Sequence, residues 1–132
     1  MIRIPKSIYQ EIIEHAQREY PVECCGILGG KDRMVLKSFR IKNLESSPTQ
    51  FLMDPQEQLN AFEEMEKGSM EMIAIYHSHP RTTPFPSEID VQKAVDPKMP
   101  SMIISLIERE KPIAKAFLIQ KEGIHVEEIE VI

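Results

Sequence analysis

Disulfide-forming potential, long apolar runs and an excess of positive charge are all missing from this chain of 132 residues. Its two cysteines are adjacent, Cys24 and Cys25, so they cannot build a disulfide framework, which points to a reducing compartment. They read as small buried apolar side chains; the alternative is a redox-sensitive thiol, with Cys25 on the same face as Glu23 in an extended segment. No stretch approaches the ~20 apolar residues of a spanning helix. The start, MIRIPKSIYQE, lacks the uninterrupted apolar core of a signal peptide. With 16 basic against 21 acidic residues the net charge is -5, which makes nucleic acid and anionic membranes poor partners. Repeats and low-complexity tails are absent as well. The expectation is a cytoplasmic protein whose residues 1–132 form one domain, a length that suffices for a single core.

What is present is an interleaving of short elements. Ile2 to Ile4 reads as a strand, and Pro5 stands where a first helical turn tolerates proline. Ile8, Ile12, Ala16 and Glu19 then share a stripe, with His15 beside it, so the spacing predicts a helix over 6–19 that ends at Pro21. His15 reads as a packed side chain rather than a ligand. Val22 to Leu28 is apolar apart from Glu23, and Gly29-Gly30 suggests a hairpin turn before the alternating segment Arg33 to Lys42. Asp54-Pro55-Gln56-Glu57 carries a cap, a first-turn proline and a glutamate three residues after the cap, so a second helix is expected over 55–67. Leu59, Phe62 and Met65 would be its core stripe. Met72 to His77 reads as a buried strand and Glu88 to Val95 as a short helix. Ser101 to Ile107, Ile113 to Gln120 and Ile124 to Ile132 read as a strand meander, with His125 turned to solvent. This mixture favours an α+β fold.

The chemistry concentrates around His77-Ser78-His79. Successive strand side chains point to opposite faces, so His77 and His79 share one, roughly 7 Å apart along the chain, and both imidazoles can converge on one ion. Asp90 can supply a third ligand. Two histidines and a carboxylate suit zinc with one position left open, as catalytic sites require. Each part also has a plainer reading: the histidines as a solvated pair, and Ser87-x-x-Asp90 after Pro86 as a helix cap and capping box. The combination is more specific than its parts, and Pro80, Pro84 and Pro86 stiffen the connection. Glu23 is the one charge in an apolar segment. It needs a partner or a wet cavity to offset its desolvation, and an activated water would provide that, with Glu23 taking a proton during attack. A lysine partner or an exposed strand end is the other possibility.

Taken together, Glu23, His77-Ser78-His79, Ser87 and Asp90 resemble the pattern of the JAMM (MPN-plus) metallopeptidases: a glutamate in an early strand, then HSH or HTH, seven residues, serine, two residues, aspartate. The context Pro21-Val22-Glu23-Cys24-Cys25-Gly26 is similar to compact prokaryotic members, and the order of elements matches over essentially the full length. The resemblance implies a mixed, curved sheet flanked by helices, in a cytidine-deaminase-like arrangement. It also implies one Zn2+ per chain held by His77, His79 and Asp90, with Glu23 as general base and then acid and Ser87 as oxyanion donor. Ser78 would be structural. The implied activity is hydrolysis of the amide bond after the C-terminal glycine of a ubiquitin-like or sulfur-carrier protein. Edge strands could pair between subunits, so a monomer and a homodimer both fit the sequence.

Two other classes compete. A non-catalytic MPN-type binding module would share the scaffold, but retention of every ligand argues against it. A nucleoside deaminase would need a PCxxC pair after its histidine-glutamate segment, and the adjacent upstream cysteines cannot replace one.

Overall fold

The computed structural model describes residues 1–132. Strand β1, Ile2–Ile4, leads through Pro5, which caps helix α1, Lys6–Glu19, rather than occupying its first turn. Ile8, Ile12, His15 and Ala16 form its buried stripe. Strands β2, Cys25–Lys31, and β3, Met34–Ile41, make the expected hairpin. Helix α2, Pro55–Lys67, begins at Asp54, whose side chain accepts from the Gln56 and Glu57 N–H groups. Glu57 does not complete a capping box; its carboxylate accepts instead from the Lys42 N–H at 2.8 Å, tying the helix to the end of β3. Strand β4, Glu71–His79, follows, then helix α3, Glu88–Lys93, and strands β5, Ser101–Ser105, β6, Ile113–Gln120, β7, Gly123–Glu127, and β8, Ile129–Val131.

The strands form one mixed sheet in the order β7-β6-β5-β4-β2-β3-β1-β8. Strand β2 is antiparallel to both neighbours, β4 and β5 are parallel, and β1 runs parallel to β3 and to β8. β7 and β8 lie at opposite ends of that order, yet Glu128 alone separates them in the chain. The sheet therefore has to curl until its edges nearly meet. The expected α+β arrangement of a curved mixed sheet with flanking helices is what forms. No helix is long and apolar enough to cross a membrane.

Alternation distributes the core over both faces. Leu28, Ala74, Tyr76, Met102 and Ile104 pack on the α1 side, while Ile27, Phe39, Ile41 and Met53 pack with Ala61 and Met65 of α2 on the other. The neighbouring cysteines are split the same way, Cys24 to the first core and Cys25 to the second.

Several sequence expectations need correcting. Gly29-Gly30 is not a turn but lies within β2; the turn is at Asp32-Arg33, both with positive φ. The glycines are there for close approach: a Cβ on Gly29 would sit 2.8 Å from the Met65 sulfur, and one on Gly30 would strike the Met34 carbonyl. β2 starts only at Cys25, so Glu23 precedes it and shares no strand face with Cys25. β4 runs on to His79 because β5 pairs with it as far as His79–Ser105, and α3 stops at Lys93 rather than Val95. β5, β6 and β7 form the meander, but the final segment breaks at Glu128 and β8 joins β1 instead. In α2 the buried positions are Ala61 and Met65, whereas Leu59 is 48% and Phe62 38% exposed. The short Ala61 side chain lets the helix approach the sheet and turns those two outward.

Candidate metal centre

Along β4, Tyr76 and Ser78 point to the α1 side, and His77 and His79 to the other. The two Nε2 atoms are 3.2 Å apart. The Asp90 carboxylate closes the group, Oδ1 lying 3.2 Å from His77 Nε2 and Oδ2 3.0 Å from His79 Nε2. Asp90 is brought there by the start of α3. Ser87 Oγ accepts from the Asp90 N–H at 3.1 Å, and Asp90 Oδ2 accepts from the Ser87 N–H at 2.9 Å. The capping box and the ligand set thus coexist: the same carboxylate that starts the helix faces both imidazoles.

The proline-bearing connection is pinned at two points. Ser105 Oγ donates to the Thr82 carbonyl at 2.6 Å, and the Thr83 carbonyl lies 2.9 Å from His79 Nδ1. A carbonyl only accepts, so Nδ1 carries the proton and Nε2 turns a lone pair towards His77 and Asp90. His77 Nδ1 is buried without a partner. Its ring is held by packing, with Phe51 at 4.8 Å between centroids and tilted by 31°.

Three acceptor groups converging in this way call for a cation. Tetrahedral zinc with bonds of about 2.0–2.1 Å puts neighbouring ligand atoms about 3.3 Å apart, close to the separations found here. The electrostatics agree. Burial lowers the proton affinity of His77 despite its Asp90 partner. At His79 burial works in the same sense, but Asp90 and the Thr83 carbonyl outweigh it and raise the imidazole. Burial opposes ionisation of Asp90, yet the two imidazoles against it hold the carboxyl far below its ordinary range. His77, His79 and Asp90 are a group that can bind a metal ion.

Glu23 is fixed through its backbone. Its N–H donates to the Ser47 carbonyl at 2.9 Å, and its own carbonyl accepts from Asn43 Nδ2 at 3.0 Å. Next door the Cys24 N–H donates to Ser78 Oγ at 2.8 Å and the Ser78 N–H to the Cys24 carbonyl at 3.1 Å, lashing this segment to β4. Glu23 is 2% exposed, and its Oε1 has no partner. Burial pushes it up to about 8, with His79 opposing and Asp90 reinforcing the shift. No lysine pairs with it, and it is not at an exposed strand end.

Two cavities meet here. A polar cleft of about 350 Å³ is bounded by Glu23, Thr49, His79, Arg81, Ser87 and Glu88. On the other side an apolar groove of about 260 Å³ runs between Phe51, Met72, Ile75, Val95, Met99 and Ile119, with His77 and Asp90 also in its wall. Both thiols lie outside the group, buried and pushed up to about 12, chiefly by burial. His15 is buried against Tyr76 and His125 is exposed, so neither joins it. The sequence reading missed Asn43, Thr83 and Phe51. Asn43 also donates to the Gln50 carbonyl and accepts from Glu45 and Leu52, a role that only folding reveals.

Comparison with known proteins gives a consistent result. The family described as Prok-JAB, prokaryotic homologs of the JAB domain, matches residues 5–118. A desampylase of Pyrococcus furiosus is 40% identical over 102 residues, covering 77% of this chain and 70% of that protein. A CysO-cysteine peptidase of Mycobacterium tuberculosis is 34% identical over 105 residues, covering 77% and 71%. The solution structure of a Desulfitobacterium hafniense protein superposes with a TM-score of 0.92 at 41% identity, over 100% of this chain and 93% of that one.

Proposed function

Because this chain belongs to the prokaryotic homologs of the JAB domain, we propose that it is a zinc-dependent hydrolase cutting the amide bond after the C-terminal glycine of a ubiquitin-like or sulfur-carrier protein. The observation that carries this reading is the convergence of His77, His79 and Asp90 beside the partnerless carboxylate of Glu23.

One zinc ion held by His77, His79 and Asp90 would supply Lewis acidity, polarising the scissile carbonyl and acidifying the attacking water. Glu23 takes the proton from that water as its oxygen bonds to the carbonyl carbon. It then passes the proton to the departing amine as the C–N bond breaks. Burial suits Glu23 to this work by favouring its protonated form between the two transfers. Ser87 Oγ already accepts from Asp90, so its own O–H is free to donate to the substrate oxygen as that becomes negative.

The leaving amine must depart within reach of Glu23, and Glu23 lines the polar cleft but not the apolar groove. The carrier's tail accordingly occupies the groove and the leaving group the cleft. All five residues belong to one chain, so no subunit needs to complete the site. In this reading residues 1–132 form one catalytic domain. The cytoplasm is its compartment in this reading, since both thiols are free.

The test is to load the protein with zinc, add a sulfur-carrier protein bearing a C-terminal adduct, and follow the mass. Wild type should remove the adduct, while Glu23→Gln should retain zinc and lose roughly 10²- to 10⁴-fold in rate. Equal turnover by both would overturn the role of Glu23. A protein that takes up no zinc would instead be a binding module on this scaffold.

A further inference from the structure

Arg81 follows His79 by two residues, leaves the end of β4 exposed, and lines the same polar cleft as Glu23, His79 and Ser87. Some basic side chains elsewhere on the surface have partners. Arg33 pairs with Glu127, Lys37 with Glu64, Lys93 donates to the Phe51 carbonyl, and Arg109 lies over the Tyr20 ring. Arg81 enters no ion pair. The charged groups sharing its cleft are Glu23, which the reaction employs, and Glu88 at the start of α3.

The position matters because of which side of the scissile bond the cleft serves. The amine that accepts the proton of Glu23 leaves into this cleft. When the leaving group is a single amino acid, its carboxylate follows the amine by one Cα and lies within roughly 4 Å of it. A guanidinium beside the amine's exit is placed to meet that carboxylate with two parallel N–H donors. A lysine side chain in an isopeptide bond brings no carboxylate to this spot, and neither does a longer peptide, whose first residue continues as an amide.

We propose that Arg81 binds the free α-carboxylate of a single amino acid joined to the carrier's C-terminal glycine, so that this enzyme releases one residue in preference to a protein adduct. The proposal rests on the deconjugation reading above and specifies its leaving group. Hydrolysis then balances simply: the water oxygen goes to the glycine carbonyl, the C–N bond breaks, and the amino acid departs with the proton relayed by Glu23 on its amine and its carboxylate on Arg81.

The experiment compares one carrier protein carrying the same C-terminal amino acid as free acid and as carboxamide, together with a lysine isopeptide conjugate. The zinc-loaded enzyme should cut the acid with kcat/KM roughly tenfold or more above the amide, mostly through KM, with the isopeptide conjugate no better than the amide. In Arg81→Gln acid and amide should be cut alike, and Arg81→Lys should restore part of the preference. Binding supplies a second readout: in a Glu23→Gln background the acid adduct should bind more tightly than the amide, and adding Arg81→Gln should erase that difference. If wild type cuts and binds acid and amide equally, the assignment to Arg81 fails while deconjugation stands. If no adduct is cut, the deconjugation reading fails, and this one with it.

Discussion

His15 and Tyr76 share a hydrogen bond of 2.8 Å between Nδ1 and the phenolic hydroxyl, their rings meeting edge to face. Tyr76 is the residue before His77, and its ring points to the opposite face of β4. Helix α1 thus supports the candidate metal centre from behind, through a polar contact in an otherwise apolar core.

The burial of His15 behind that contact makes stability depend on pH. Burial, helped by the charges of Arg40 and Arg18, lowers His15 from 6.5 to about 4. The unfolded chain takes up this proton below 6.5 while the folded chain refuses it until about 4, so acid favours unfolding throughout that window. The contribution of neutral His15 is complete above 6.5 and lost by about 4, a difference of roughly 3 kcal/mol. Denaturant unfolding at pH 7 and pH 4.5 should show His15→Gln losing less stability on acidification than wild type. Parallel pH profiles would contradict this account.

Gly26 faces the same tyrosine. A Cβ there would run into the Tyr76 ring, itself fully buried, so neither side can yield easily. Gly26→Ala should cost roughly 1–3 kcal/mol and lower the melting temperature. Combining it with Tyr76→Leu should cost less than the sum of the two changes, which thermal melts of the four proteins would establish.

Ser87 combines a structural and a chemical duty that substitutions can separate. Ser87→Ala removes the cap on α3, worth about 1 kcal/mol, and the O–H proposed for the developing oxyanion, worth roughly 10²- to 10³-fold in kcat. Ser87→Thr keeps both groups and should retain most activity. Steady-state kinetics on a carrier adduct would decide: an alanine variant with undiminished kcat would remove Ser87 from the chemistry.

Metal removal should be visible without any substrate. Chelator-stripped protein titrated with zinc should gain about 2.7 kcal/mol when the free ion reaches 100 times its dissociation constant. His77→Gln and Asp90→Asn should lose most of that gain. Glu23→Gln should keep it, because Glu23 lies beside the ligand group rather than in it. Calorimetric melts and metal content would give the answer together.

Legibility in the sequence followed the range of the forces involved. Helices α1 and α2 were readable to the residue, because Pro5, Pro21, Asp54 and Gly68 act on their own turn. Where distant partners decide, local signals misled. The glycine pair reads as a turn until Met65 and Met34 are seen against it, and Leu59 and Phe62 read as core until Ala61 sets the depth of α2. In the candidate centre the histidines and Asp90 lie close enough along the chain for spacing to speak. Glu23 betrayed itself as a lone charge among apolar neighbours. Asn43, which holds the Glu23 carbonyl, gave no such signal, since its four hydrogen bonds exist only once the loop around it has closed.

The reciprocal hydrogen bonds between Cys24 and Ser78 join positions 54 residues apart. The histidines and Asp90, by contrast, occupy one short stretch. The candidate ligands therefore all come from the β4–α3 segment, whereas Glu23, proposed to take the water's proton, is brought beside them only when β2 has paired with β4, a non-local step. If Glu23 has the role proposed for it, a chain in which β2 has not yet paired would have its candidate ligands close in sequence but no proton acceptor beside them. On that reading, folding itself would act as the safety catch that other proteases place in a removable pro-segment.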